Sequence, residues 1–378
     1  MRILHVSTFL QGGAGRIIAA LAIAQRRAGH DVIVVADSGR HAGYESYPEY
    51  VAQLDAEGVA FHTVTSTFTR DVALNVQAVS ELRRLLDGRA IDLAHTHAAI
   101  PTLVARLALG RVSYVPVVQT MHGWGIHKTP EQAATDITLL GLADAVVTPS
   151  IAARETLRAL GLDAASVQVI PYGLDEAPAD STPPDTDDAA PFAPLRAAGS
   201  PIALCVGTIG ERKNQALLVK ALALIDGVNA IFIGDGDAGP LSALAADLGV
   251  TARVHVLGYR ADASRYLPLA DVLVLPSLNE GLPIVVLEAL RAGVPVVGSA
   301  IPEIAEAVDE GRTGFLFTPD DAGQLAVALR SAMTGDRRVA MRTHARQVFE
   351  ARYGADRMLA AYDRLYTHVR PTPTTAPA

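Results

Sequence analysis

A chain of 378 residues that is half hydrophobic and carries a net charge of −8 has the apolar material for two cores and lacks the basic footprint of a general nucleic-acid binder. Its mean hydropathy is +0.25 and its pI about 5.8, yet no apolar run is long enough to span a bilayer and no Lys/Arg-rich amphipathic helix marks a surface anchor. The single cysteine, Cys205, sits in an apolar strand-like run, which excludes an internal disulfide, fits a reducing compartment and favours a buried structural thiol over a nucleophile.

Residues 2–7 read as a first strand directly behind Met1, so no signal peptide is expected. A loop over 8–15 holds Gly12-Gly13-Ala14-Gly15, helical spacing runs from Arg16 over 16–27, Gly29 stops it, and 31–36 is the next strand. This is a Rossmann-like half unit, but the loop is not Gly-x-Gly-x-x-Gly, so a dinucleotide fingerprint is absent. The glycines serve either a tight strand-to-helix turn or a close approach of a ligand to the backbone. Two helical segments and a short strand near Ala60 fill 44–88. A strand over 91–95 then carries Thr96-His97 at its carboxyl end, where ligands of open α/β sheets bind. His95 and His97, two apart, share a strand face, but no further ligands can be named, so no metal site is predicted. His95 reads as structural and His97 as a candidate ligand-side residue.

The strand over 115–120 delivers Met121-His122-Gly123-Trp124 to the same sheet edge. A histidine between a strand end and a glycine is well placed for catalysis or sugar binding; the alternative is a loop-capping hydrogen bond. Trp124, the only tryptophan, packs under the loop or stacks on a sugar ring. The polar segment 124–131 is expected to be mobile and to shape an acceptor site. Strands over 144–149 and 167–171 flank a helix capped by Ser150. Residues 176–200, rich in Pro, Ala and Asp, read as an interdomain linker. The predicted organisation is a domain over 1–175, a second over 201–350, a helix over 351–370, and a tail over 371–378 disordered by composition.

In the second half, a strand over 201–206 leads to Arg212-Lys213-Asn214, which opens a helix running to 225. Two cations at a helix N-terminus oppose the dipole, so they are either solvated or meet an anion. Strands follow over 229–234 and over 253–257, the latter ending at Gly258-Tyr259-Arg260. The stretch 271–297 is the most informative: a buried strand, a turn at Asn279-Glu280-Gly281, Pro283 in the first turn of a helix, Gly293 ending it and Pro295 opening the next strand. N–H groups near Gly281 and Leu282 form an anion site at the helix start. Glu280 lies in the loop and Glu288 inside an apolar helix, where a carboxylate is costly without a partner. An anion site flanked by carboxylates that accept from hydroxyls points to a sugar phosphate or nucleotide sugar. In the bland alternative Glu280 is a helix-terminal charge and Glu288 pairs with Arg291 or a lysine.

Glu280-Gly-Leu-Pro followed by Leu-Glu288-Ala-Leu-Arg-Ala-Gly-Val-Pro-Val-Val resembles the signature of the retaining GT-B glycosyltransferases of family four. The resemblance covers nearly the whole chain. It implies an α/β GT-B fold, two Rossmann-like domains facing across a cleft, and transfer of a sugar from a nucleotide-diphosphate donor, most often UDP- or GDP-linked, to a hydroxyl acceptor in a glycan, lipid-linked or small molecule. It places Glu280 on the donor sugar, Glu288 on the ribose, and Gly281 and Leu282 on donor oxygens. Gly12 and Gly13 lie beside the diphosphate, the base lies near Gly258 and Tyr259, and His122 stands close to the reactive centre. Lys213 matches the family's diphosphate lysine; Thr208 stands where an arginine is usual, and Arg212 is expected to supply part of that charge. Many relatives have Glu where Gly15 stands, and Tyr172 replaces an Asn at the domain hinge. Arg16, His97 and Trp124 are the acceptor-side candidates. The resemblance implies no cofactor, no metal and a cytoplasmic enzyme of carbohydrate biosynthesis, with contact at the inner membrane face left open. A nucleotide-sugar epimerase of related fold and a non-catalytic nucleotide-sugar-binding partner are the alternatives.

Overall fold

The structure, a computed structural model, describes residues 1–39, 45–110, 114–125, 128–176 and 190–370. The chain forms two compact units, Met1–Tyr172 joined by the segment from Asp356 onward, and Gly173–Ala355. The predicted tail, most of the predicted linker and the centre of the loop after Trp124 lie outside the described residues.

The first unit alternates β1 (Arg2–Ser7), α1 (Gly12–Arg27), β2 (Asp31–Asp37), α2 (Pro48–Ala56), β3 (Ala60–Val64), α3 (Val72–Leu85), β4 (Leu93–His97), α4 (Ala99–Leu109), β5 (Val117–Thr120), α5 (Pro130–Leu140), β6 (Ala145–Thr148), α6 (Ile151–Ala159) and β7 (Val167–Val169). The strands pair in the order β3-β2-β1-β4-β5-β6-β7, all parallel. Strands such as β2 are buried from Val32 to Asp37 because helices cover both faces of a parallel sheet. The helix starts follow local chemistry: Asp71 accepts from the Leu74 N–H, Thr129 and Gln132 form a capping box, and Ser150 accepts from the Ala153 N–H.

One boundary differs from expectation. α1 starts at Gly12 rather than at Arg16, so the glycines are its first turn and not a loop. First-turn N–H groups need no intrahelical partner, which lets weak helix formers sit there. Gly15 is dictated by space: a Cβ at this position would stand 2.3 Å from the Leu10 carbonyl carbon. No side chain fits there on this backbone, so the glycine goes with a close approach of helix and loop.

The second unit runs α7 (Phe192–Ala197), β8 (Ile202–Val206), α8 (Gln215–Leu222), β9 (Asn229–Ile233), α9 (Gly239–Asp247), β10 (Val254–Gly258), β11 (Val272–Leu275), α10 (Ile284–Ala292), β12 (Val296–Ser299), α11 (Pro302–Ala305), β13 (Gly314–Phe317), α12 (Ala322–Ala332) and α13 (Gly335–Arg352). Its parallel sheet has the order β10-β9-β8-β11-β12-β13. Each sheet thus reverses direction of winding once, between β1 and β4 and between β8 and β11, and such switch points open binding crevices at the carboxyl ends of strands. Cys205 is buried in the core with Leu217, Phe232 and Val274, and burial pushes its thiol up to about 12, as expected of a structural cysteine.

Three further elements depart from the sequence reading. Part of the predicted linker is the short helix α7, held by the buried Phe192 ring against Tyr266 at 5.7 Å. Pro283 is the residue before α10 rather than within its first turn. Glu211–Lys213 is a separate 3-10 turn, and Asn214 at φ 50°, ψ 40° breaks it from α8. The last helix, α14 (Ala355–Val369), buries Met358, Tyr362, Leu365 and Tyr366 and belongs to the first unit from Asp356 onward.

Candidate functional site

In the second unit, the turns after β8 and β11 bring Lys213, Arg212 and Glu280 together. The Lys213 Nζ donates to Glu280 Oε1 at 2.6 Å; one Arg212 nitrogen reaches Oε2 at 3.3 Å and the Asn279 carbonyl at 3.1 Å. The backbone joins the same loops, with the Leu278 N–H donating to the Arg212 carbonyl at 2.9 Å. Glu280 and Lys213 are nearly buried, their side chains 8% and 13% exposed, whereas Arg212 is 46% exposed. Burial pushes the Glu280 carboxyl up, but the Lys213 and Arg212 charges beside it outweigh burial and hold it below the ordinary value. The anion that the two cations called for is therefore, in part, Glu280. Among these three contacting side chains cations outnumber carboxylates two to one.

Gln215 supports this turn. Its buried amide donates to the Gly207 and Thr208 carbonyls at 3.3 and 3.0 Å and accepts from the Gly210 N–H at 3.2 Å. Asn214 donates to Asp320 Oδ1 at 2.7 Å. Thr208, Gly281, Leu282 and Glu280 line neighbouring loops at the sheet's carboxyl edge, and Gly258 ends β10, where its carbonyl accepts from the Gly234 N–H at 3.0 Å. Tyr259 beside it is exposed. Glu288 is buried within α10, while Arg291 donates to the Asp175 carbonyl at 2.9 Å. Glu303 on α11 is a second buried carboxyl, raised by burial and by the Glu280 and Glu306 charges. Sequence reading missed Gln215 and Glu303; the signal was a polar residue at the start of each helix behind a strand-end turn.

In the first unit the strand ends carry histidines. His97 is buried and His122, directly after the β5 edge, is half-buried. The His97 Nδ1 lies 3.0 Å from His122 Nε2, and its Nε2 lies 2.9 Å from His5 Nδ1. His5 Nε2 meets the Gln25 carbonyl oxygen at 2.7 Å, and the Gln25 amide nitrogen donates to the Tyr366 hydroxyl at 3.0 Å. Tyr366 reaches His95 Nδ1 at 2.7 Å, and His95 Nε2 reaches the Thr120 hydroxyl at 2.8 Å, itself 3.0 Å from the Tyr362 hydroxyl. At the other end His122 Nδ1 lies 2.7 Å from the Tyr172 hydroxyl. Burial lowers His5 and His122 to about 4 and holds His95 and His97 well below the ordinary histidine value. All four are neutral at pH 7.

His5, His95 and His97 offer ring nitrogens within 4.8 Å of one another, a spacing open to a metal ion. All six of those nitrogens are already hydrogen-bonded, and those bonds would have to break for an ion to bind. The donor set therefore fits a hydrogen-bond chain better than a metal centre. Sequence reading placed His95 as structural and His97 on the acceptor side; the structure puts both in the interior. Trp124 packs against the cluster of Met121, Leu140, Val146 and Leu157, and the Lys128 Nζ sits 3.5 Å from its ring centroid. Gly12 and Gly13 are exposed at the start of α1, and Arg16 follows one turn later. Among the described residues no helix is long and apolar enough to cross a membrane.

Comparison with known proteins agrees with this architecture. The family described as Glycosyl transferases group 1 matches residues 187–348, and Glycosyltransferase Family 4 matches residues 11–177. The chain is 30% identical over 301 residues to a D-inositol 3-phosphate glycosyltransferase of Xylanimonas cellulosilytica, covering 73% of this chain and 71% of that protein. It superposes on Anabaena Alr3699/HepE in complex with UDP-glucose with a TM-score of 0.83 at 20% identity, covering 97% of this chain and all of that one, 100%. WaaG, a glycosyltransferase involved in lipopolysaccharide biosynthesis, superposes with a TM-score of 0.69 at 18% identity over 96% and 99% of the two chains. With two parallel Rossmann-like sheets, both family matches and a relative of this identity and coverage, the chain belongs to the family 4 (group 1) glycosyltransferases and has the GT-B fold.

Proposed function

We propose that the protein transfers a sugar from a nucleotide-diphosphate sugar, UDP- or GDP-linked, to a hydroxyl acceptor with retention of anomeric configuration. The observation that carries this reading is the cluster of nearly buried Lys213 and Glu280 with the half-exposed Arg212, Lys213 at 2.6 Å and Arg212 at 3.3 Å from the carboxylate. Its surplus positive charge suits a diphosphate, which gains negative charge as it leaves. Lys213 and Arg212 receive that charge, and the backbone after Glu280 at Gly281 and Leu282 adds its dipoles. Glu280 orients the donor sugar, Glu288 takes the ribose hydroxyls, and Gly258 and Tyr259 border the base. In the first unit, the strand-end His122 serves the reacting sugar, with Gly12 and Gly13 toward the phosphates and Trp124 and Arg16 toward the acceptor. The bond from the anomeric carbon to the diphosphate oxygen breaks, the acceptor oxygen bonds that carbon on the same face, and its proton passes to the departing phosphate oxygen. The reading needs no metal, because the cations neutralise the leaving group. A buried carboxylate pair acting as nucleophile and acid is not required.

UDP-glucose is the first donor to test, because the similar HepE structure is a complex with it, and inositol 3-phosphate the first acceptor, because the similar Xylanimonas protein is named for it. The assay follows nucleotide release and the anomeric proton of the product by NMR. Acceptor-dependent release of UDP or GDP with retained configuration supports the proposal. An inverted product, or interconversion of the donor sugar without acceptor, overturns it.

A further inference from the structure

The hydrogen-bond chain in the first unit has a direction, and one residue sets it. With the Gln25 carbonyl oxygen 2.7 Å from His5 Nε2, that nitrogen must carry a proton. A neutral His5 then accepts at Nδ1, so His97 must donate from Nε2 across the 2.9 Å contact. A neutral His97 in turn accepts at Nδ1, so His122 donates from Nε2 across 3.0 Å. His122 Nδ1 is thereby left to accept, and the Tyr172 hydroxyl donates to it at 2.7 Å. On the other branch the Gln25 amide nitrogen donates to Tyr366, Tyr366 donates to His95 Nδ1, and His95 donates from Nε2 to Thr120. Each ring nitrogen in the chain has a partner; only the end hydroxyls keep a choice, Tyr172 with the His122 carbonyl at 3.4 Å as a second acceptor and Thr120 with Tyr362 at 3.0 Å in either direction. Turning the Gln25 amide over exchanges donor and acceptor at every link.

The chain is built to hold that order. His5, His97, His122 and Tyr172 form a stack with neighbouring ring centroids 5.3, 5.2 and 5.7 Å apart and interplanar angles of 8°, 24° and 29°. Gln25 and His5 are buried, so water does not compete for their polar atoms. A wrong tautomer at any link would face two donors or two acceptors, which in a buried site costs about 1–3 kcal/mol per unsatisfied group.

We propose that Gln25 is a positioning residue that, through His5 and His97, fixes His122 as the tautomer protonated on Nε2. The effect on turnover rests on the reading that His122 serves the reacting sugar; the tautomer itself does not. Both His122 nitrogens are engaged, so a substrate hydroxyl has to displace Tyr172 or His97, and the fixed tautomer sets in advance whether the freed nitrogen accepts or donates.

The test is long-range 15N–1H NMR of the histidine side chains in the full-length protein at neutral pH. All four histidines are expected to be neutral with the proton on Nε2. Gln25→Met, close in shape but without the amide, should let His122 populate both tautomers. His5→Phe keeps a ring against His97 and should do the same if Gln25→Met does not fold. In either variant kcat should fall about tenfold, less than the loss of a group that itself transfers a proton because Gln25 acts only through His122, while nucleotide affinity stays within about twofold. A wild-type His122 protonated on Nδ1, or charged, overturns the proposal. So does an unchanged His122 tautomer in a folded variant; a shifted tautomer with an unchanged kcat bears out the positioning by Gln25 and overturns the role of His122 at the reacting sugar. Failure to bind any nucleotide would count against the transferase reading instead and leave the NMR result to judge the chain.

Discussion

The two units place polar groups at equivalent positions, the carboxyl edges of parallel strands, but they solve burial in opposite ways. The second unit buries charge: Glu280 is ionised and held by Lys213 and Arg212. The first unit buries neutral groups: His5, His95, His97 and His122 are hydrogen-bonded to one another and to Gln25, Thr120, Tyr172 and Tyr366. A buried ion cluster with a surplus charge has strong electrostatic reach and is suited to a phosphate ligand. A saturated neutral chain has little reach and instead fixes geometry and protonation. The comparison teaches that unit two acts by field and unit one by position.

The strongest way to break that contrast is to remove the charge. Lys213→Ala should lower turnover on the order of 10²-fold, as for loss of one charge-stabilising donor, with a smaller change in acceptor KM. Steady-state kinetics would reveal it, and a near-normal rate would move the role to Arg212.

Acid titration separates the two units next. His5 and His122 have folded-state values near 4, below the ordinary 6.5. Between those limits the unfolded chain binds protons that the folded chain cannot. Stability of the first unit is therefore complete above pH 6.5 and falls as pH drops toward 4, by up to about 1.4 kcal/mol per pH unit per histidine. Glu280 is shifted in the same direction, below the ordinary 4.5, so its contribution is also lost as pH falls but only below pH 4.5. Trp124 is the only tryptophan and lies in the first unit, so its fluorescence during denaturant unfolding reports that unit alone. A midpoint that does not move between pH 7 and 5 would contradict the neutral-chain account.

The smallest effect should come from Arg212→Ala, below about tenfold in turnover. Arg212 is 46% exposed and meets Glu280 at the longer distance of 3.3 Å, so solvent screens much of its charge. An effect larger than that of Lys213→Ala would reverse the order of the clamp.

The second unit's site was legible because its residues fall in two short motifs, each readable by itself, although Lys213 and Glu280 stand 67 positions apart. The motif over 271–297 carries strand, loop, helix and both glutamates, and Lys213 announces itself at the next switch-point turn. The first unit's chain was not legible, because its links join residues 92, 25, 20, 341 and 271 positions apart. A signal existed in fragments. His5 interrupts an apolar strand, His95 and His97 share a strand face, and Tyr362 and Tyr366 lie one helical turn apart. Only the register that sets His5 beside His95, and the folding of α14 into the first unit, assembles them. The start of α1 was misplaced because glycines punctuate loops more often than they open helices, and α7 was missed because it is short and buries a single residue, Phe192.

The most direct test of the account is donor binding, read as thermal stability with UDP, GDP, ADP and their sugar conjugates, wild type beside Glu288→Ala. One nucleotide should stabilise the wild type by about 2.7 kcal/mol at a hundred times its Kd, and Glu288→Ala should weaken that binding more than tenfold. No stabilisation by any nucleotide would contradict the nucleotide-sugar account, and equal stabilisation of the mutant would remove Glu288 from the ribose.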